Sequence, residues 1–271
     1  MKLSYSQAEK LAIFCLGTAL LLLFVSPRFA VLPLAAFLFC CSVAPFIPQW
    51  GFFLPVISKA VNGSNGIALT FDDGPTAETT PLILELLARY NYQATFFVVG
   101  EKAARYPDLI GDILAAGHTI GNHSWKHDSF LMLRKRDILL QDIQKTQQQL
   151  AVSGIRPLFF RPPIGISNPL LKSVLEKEGM KAVTFSCRAF DGGNRKIHNL
   201  SQRIMKKIRQ GDIVLLHDLL PIGAPVSELL TELDELFSAL QKGGYSVASL
   251  EKLLEMPAML TVDVVPNKAL G

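Results

Sequence analysis

Five short segments of this chain carry side chains able to do acid–base and metal chemistry. The first is Thr70-Phe71-Asp72-Asp73-Gly74-Pro75. Two adjacent carboxylates before Gly-Pro either serve an ordinary turn or face one mouth together. In the second case both stay charged only with a cation or an arginine between them. The second segment, His123-Ser124-Trp125-Lys126-His127, sets two imidazoles at i and i+4, on one face of a helical turn. That spacing suits one metal ion, and Asp73 would complete an Asp-His-His set with positions left open for water and substrate. A capping or surface pair is the alternative. The third, Arg161-Pro162-Pro163-Ile164-Gly165, is a stiff loop after an apolar run. The loop Pro163, Ile164 and Gly165 either holds the N–H groups of its non-proline residues towards a developing oxyanion or forms a strand-ending turn beside a surface arginine. The last two are Phe190-Asp191-Gly192 and Leu215-Leu216-His217-Asp218. A histidine closing an apolar strand is costly if unpaired; with a carboxylate partner it becomes a candidate acid.

Positioning these groups requires a scaffold, and the pattern from Gly66 onward supplies one. Short apolar runs at 67–71, 94–99, 118–121, 158–161, 182–186, 213–217 and 245–248 read as strands. Helical patterns lie between them at 81–90, 102–116, 135–152, 169–178, 200–209 and 226–242. Strict alternation of this kind predicts an α/β fold, a parallel sheet covered by helices. With about seven strands it is either an open doubly wound sheet or an incomplete (β/α) barrel. No G-x-G-x-x-G follows a strand, which disfavours the dinucleotide-binding form. The chemical segments fall at the C-terminal ends of the strands, where barrel enzymes gather their catalytic groups.

Taken in this order, the segments resemble the polysaccharide deacetylases, the family 4 carbohydrate esterases, over residues 64–255. T-F-D-D-G-P followed by H-S-W-K-H is a specific pairing, and R-P-P-I-G and L-L-H-D follow in the family's order. The resemblance implies a distorted, incomplete (β/α) barrel, a divalent metal, usually zinc, and hydrolysis of N-acetyl groups on sugars such as N-acetylglucosamine. It implies Asp73, His123 and His127 as metal ligands, Asp72 as catalytic base and Arg161 as the arginine that steadies the acidic cluster. Asp191 matches the carboxylate that tunes the catalytic histidine, and His217 that histidine. Ile164 stands where Tyr or Phe is usual. The fourth motif departs most: D-x-x-D-W has become Arg188-Ala189-Phe190-Asp191-Gly192, which alters one wall of the groove.

Composition bounds the rest. The 271 residues are 49% hydrophobic and 18% charged, with a formal net charge of +4. No basic stripe interleaves with aromatics, so nucleic acid is not an expected partner. Cys15, Cys40, Cys41 and Cys187 form no C-x-x-C pair and no disulfide framework. Residues 1–57 read as a membrane-embedded segment, with apolar helices over 11–25 and 29–47 broken by Ser26-Pro27-Arg28. That is a hairpin of two spans in a bacterial inner membrane, and Lys2 and Lys10 favour a cytoplasmic N-terminus. Trp50, Phe52 and Phe53 read as an interfacial aromatic belt, 58–65 as a linker, 66–255 as the catalytic domain and 256–271 as a tail. The expected partners are an N-acetylated glycan or glycolipid and the membrane. Competing readings are a deacylase of a lipid-linked sugar and a catalytically inactive glycan-binding barrel.

Overall fold

Continuous apolar runs form the strands at the centre of the molecule. The computed structural model describes residues 5–60 and 65–263. Its strands are β1 (Val56–Ile57), β2 (Ile67–Asp72), β3 (Ala94–Val98), β4 (Thr119–Asn122), β5 (Ile155–Pro157), β6 (Phe159–Phe160), β7 (Lys181–Val183), β8 (Cys187–Arg188), β9 (Ile213–His217), β10 (Val247–Ala248) and β11 (Met259–Thr261). Eight of them form a parallel path in the order β1-β7-β6-β4-β3-β2-β9-β8, and β10 pairs with the foot of β2. Every residue of β2 and β3 is buried, as expected of parallel strands covered on both faces. Only Thr184–Ser186 join β7 to β8, with no helix between. The two sides of the sheet are therefore drawn together, and it curls into an incomplete barrel.

The helices are α1 (Gln7–Leu23), α2 (Pro27–Val43), α3 (Thr80–Arg89), α4 (Gly100–Arg105), α5 (Pro107–Ala115), α6 (Arg136–Ala151), α7 (Pro169–Glu178), α8 (Leu200–Met205), α9 (Val226–Lys242) and α10 (Leu250–Leu254). The expected helix over 102–116 is two helices, because Pro107 opens α5 and forces Tyr106 out of helical geometry (φ −128°, ψ 61°). The expected strand over 182–186 stops at Val183 and resumes as β8. The expected helix over 200–209 ends at Met205. Part of the C-terminal tail forms β11, antiparallel to β5.

Register brings the chemistry level. Asp72 pairs across β2 and β9 with His217 and across β3 with Phe97, and Asn122, one residue before His123, pairs with Val98 and Phe160. The candidate residues thus emerge together at one end of the barrel.

The N-terminal segment is bonded to this domain. Ser6 caps α1 through a capping box with Glu9, and the Ala8 N–H donates to the Phe52 carbonyl at 2.9 Å. α1 and α2 lie against each other, but among the described residues only Pro27–Phe46 has the length and apolarity to cross a membrane: 20 residues, mean hydropathy 2.2, 11% buried. α1 has 17 residues. Phe52, Phe53 and Leu54 are 3%, 7% and 3% exposed. They belong to one core with Leu139, Ile143, Leu171 and Val174 of α6 and α7. The aromatics expected at a membrane interface are therefore core residues, with the exception of half-buried Trp50, which packs on Phe52 at 4.8 Å between ring centroids. Of the expected linker 58–65, Lys59 and Ala60 pair with Asp212 and Gly211 at the foot of β9, and 61–64 lie outside the described residues, as do Lys2 and 264–271.

Candidate active site

The end of β2 delivers two carboxylates in different directions. Asp72 is the last strand residue and is buried. Asp73 follows with φ +73°, an uncommon conformation for a residue with a side chain. Lys102 of α4 donates from Nζ to the Asp73 carbonyl at 2.7 Å. The turn beyond is secured by Asp218, whose carboxylate accepts the Thr79 and Thr80 hydroxyls at 2.5 and 2.6 Å. Burial pushes the Asp218 carboxyl up to about 6 even so.

Asp73, His123 and His127 each present one ligand atom, all within 4.8 Å of one another. Nδ1 of His123 lies 2.7 Å from the Arg161 carbonyl oxygen. A carbonyl can only accept, so Nδ1–H is the donor and Nε2 keeps its lone pair. That Nε2 lies 3.4 Å from Asp73 Oδ1, and His127 Nε2 lies 3.2 Å from the same oxygen. Asp73 Oδ1 is buried without a hydrogen-bond partner. An orphaned carboxylate oxygen facing an imidazole lone pair fits a cation between them, with the backbone carbonyl as the orienting partner of a ligating histidine. Burial alone would raise the Asp73 carboxyl, but the two histidines hold it below the usual carboxylate range. His127 sits at φ +54° and Ser124 at φ +69°. The Ser124 Oγ accepts the His127 N–H at 3.0 Å, and Asp142 of α6 accepts the Trp125 N–H at 2.8 Å.

Arg161 is 1% exposed, which sets aside the surface-turn alternative. Its guanidinium donates to Asp72 Oδ1 at 2.6 Å, Thr70 Oγ1 at 2.8 Å, the Thr184 carbonyl at 2.8 Å and the Val183 carbonyl at 3.3 Å. It also lies 3.9 Å over the Phe97 ring. The arginine therefore bolts β2 to the end of β7 across the barrel and supplies the counterion of Asp72. Ile164 (φ +51°) and Gly165 line the groove beyond it, whereas Pro163 is buried and does not. The N-terminal segment backs the groove at two places: Pro48 sits where a side chain on Gly165 would fall, 2.9 Å from a Cβ built there, and Gln49 Nε2 donates to the Phe185 carbonyl, between β7 and β8, at 3.1 Å.

Opposite, His217 Nδ1 lies 2.7 Å from Asp191 Oδ2. Burial works against a charged His217, but the bond to Asp191 and its charge outweigh it, and the pKa is raised. The groove shared by these groups has a volume of about 540 Å³. Lys102, Asp142, Asp218 and Thr70 are the supporting residues that sequence reasoning missed. Asp142 had a usable signal, since it lies beside Leu139 and Ile143 on the buried side of α6.

A family model described as polysaccharide deacetylase matches residues 59–183. A peptidoglycan-N-acetylglucosamine deacetylase of Bacillus cereus is 33% identical over 195 residues, 71% of this chain and 90% of that one. The peptidoglycan-N-acetylglucosamine deacetylase PgdA of Listeria monocytogenes is 31% identical over 74% of this chain, which spans only 41% of that longer protein. The solved structure of the Bc1960 peptidoglycan N-acetylglucosamine deacetylase, in complex with an N-hydroxybenzamide, superposes with a TM-score of 0.67 at 30% identity, covering 75% of this chain and 94% of that one. One third of the residues being shared over nine tenths of the Bacillus cereus relative, on the same barrel, this chain belongs to the polysaccharide deacetylase family and is a carbohydrate deacetylase.

Proposed function

We propose that the chain hydrolyses the N-acetyl group of an amino sugar in a glycan, releasing acetate, with a divalent metal held by Asp73, His123 and His127. The observation that carries this reading is the pairing of two oppositely equipped groups at neighbouring strand ends. Asp72 is bonded to Arg161 at 2.6 Å, and His217 to Asp191 at 2.7 Å. Between them lies the Asp-His-His set. Zinc suits two imidazoles and a carboxylate. When bound, such a metal polarises a carbonyl and lowers the pKa of water.

The protein's own residues divide the remaining work. Asp72 accepts a proton from the attacking water as the oxygen adds to the amide carbon. Arg161, engaged by four acceptors, keeps that carboxylate aimed and prevents it from folding back onto the barrel. The loop at Ile164 offers its backbone to the carbonyl oxygen as negative charge develops there. His217, with Asp191 favouring its protonated form, gives its proton to the nitrogen as the C–N bond breaks. Amide cleavage requires that step, because an unprotonated amine anion is a very poor leaving group.

On our reading α1 and α2 form a hairpin in a bacterial inner membrane, which would hold this chemistry at the membrane. Phe14, Leu21, Phe24, Leu32, Leu38 and Phe39 expose more than half of their surface, which is unfavourable for a helix pair in water. A lipid-linked amino sugar is favoured as the form of the substrate by one contact. The segment leaving Pro27–Phe46 sits against the groove loop, with Pro48 at Gly165.

The test is acetate release from N-acetylglucosamine oligomers by the full chain in detergent, stripped of metal and restored with zinc. Zinc-dependent release abolished in Asp72→Asn, with zinc still bound, is the expected result. Undiminished release by the stripped protein, or by Asp72→Asn, would overturn the assignment.

A further inference from the structure

The acids of the groove are all engaged, and two of its arginines are not. Asp72 is matched by Arg161 and Asp191 by His217, and Asp73 belongs to the set that would hold the metal. Arg188, on β8, and Arg195 also line the groove. Among the described residues, neither of their side chains donates a hydrogen bond or forms an ion pair. Arg188 is half-buried, and the one charge acting on it is that of Asp191, already bound to His217. Taking a guanidinium partly out of water without a counterion is unfavourable unless something negative completes it.

The surroundings of Arg188 show how it is presented. Its guanidinium stacks 4.1 Å over the Phe190 ring and lies 5.3 Å from that of Phe185. Stacking covers the faces of the fork and leaves its N–H edge for a planar or tetrahedral anion. Phe190 itself is 58% exposed at the groove rim, with φ +58° and Lys207 Nζ 4.5 Å from its ring. An exposed aromatic held in a disfavoured backbone conformation between two cations is a built feature of the wall. It holds the guanidinium at the groove rim as a donor for a charge.

We propose that Arg188 selects an N-acylated amino sugar bearing a negative group, a phosphate or a carboxylate, with Arg195 adding to the field at the mouth. This rests on the deacetylase reading and adds the substrate's charge to it. A forked, charge-assisted contact of this kind is worth about tenfold or more in affinity.

The experiment uses the full chain in detergent, loaded with zinc. Acetate release and calorimetric binding are measured for N-acetylglucosamine, for its 1-phosphate and for N-acetylmuramic acid. The wild-type protein is expected to favour at least one of the charged sugars by about tenfold or more in kcat/KM and in Kd. Arg188→Gln is expected to bring that ratio close to one, and Arg188→Lys to restore part of it. Preference for the phosphate alone identifies a sugar phosphate, and preference for the carboxylate alone a sugar acid. A wild-type ratio near one overturns the proposal, as does an Arg188→Gln loss of equal size for neutral and charged sugars. If no sugar releases acetate, the deacetylase reading fails, and the ratio of Kd values still decides whether Arg188 selects charge.

Discussion

A chain that begins at Val56 should be much less stable than one that begins at Ala44, although both lack the apolar helices α1 and α2. The difference between them contains Phe52, Phe53 and Leu54, all nearly fully buried against α6 and α7. Burying such side chains is worth about 1.5–3 kcal/mol each. Residual compactness of the unfolded chain trims the total of the three to about 3–8 kcal/mol. Small domains are stable by only about 5–15 kcal/mol, so the shorter chain keeps a thin margin. With a urea dependence of about 2 kcal/mol per molar, its unfolding midpoint should fall by about 1.5–4 M. Both chains would be unfolded in urea and followed by tryptophan fluorescence and circular dichroism, with acetate release measured in parallel. The Val56 chain should also be the weaker catalyst, since it lacks Pro48 behind Gly165 and Gln49 at the Phe185 carbonyl. Midpoints within about 0.5 M of each other would refute the reasoning and return the segment to a mere tether.

Two further outcomes follow from the charges of the groove. Arg161→Lys keeps a positive charge but cannot fork, leaving the Val183 and Thr184 carbonyls without their donor; each unpaired buried acceptor costs about 1–3 kcal/mol. Thermal unfolding should show a loss of about 2–4 kcal/mol together with a fall in kcat, and an unchanged melting temperature would refute the bolt assigned to it. Asp191→Asn removes the group that raises the His217 pKa above its ordinary 6.5. Because the raised pKa belongs to the folded state, the stability due to this pair is fully present below 6.5 and is lost as pH rises through the folded value. Activity that needs protonated His217 falls over the same rise, so the alkaline limb of kcat/KM should move to lower pH in Asp191→Asn; a limb that stays in place would exclude His217 as the proton donor.

Much of the site was legible because its residues are chemically conspicuous where strands end. Asp72, His123, Arg161 and His217 each follow an apolar run, and parallel pairing leaves nowhere for them but the same end of the barrel. Their partners were harder to read. Lys102, Asp142 and Asp218 act on backbone or turn groups that no spacing rule connects to them. Phe52 and Phe53 were misread because an aromatic pair after an apolar run has the same composition at a bilayer surface and in a protein core. Only the neighbouring faces of α6 and α7 decide between the two. The split at Tyr106 and Pro107 was visible in the sequence, since proline restricts the residue before it. The two-residue strand β8 was not, because its register depends on β9 across the seam.

The groove keeps its two counterions in different places from its two spare cations, and ionic strength distinguishes them. Arg161 answers Asp72, and Asp191 answers His217, inside buried walls where dissolved salt does not enter. Arg195, exposed, and Arg188, half-buried, face solvent that is screened within about 8–10 Å at ordinary salt. Added salt therefore weakens recognition of a charged sugar and leaves proton transfer alone, raising KM while kcat holds. Beside an anionic bilayer, where counterions accumulate and surface potential changes with lipid composition, the protein's turnover would stay constant while its appetite for substrate is set by the membrane.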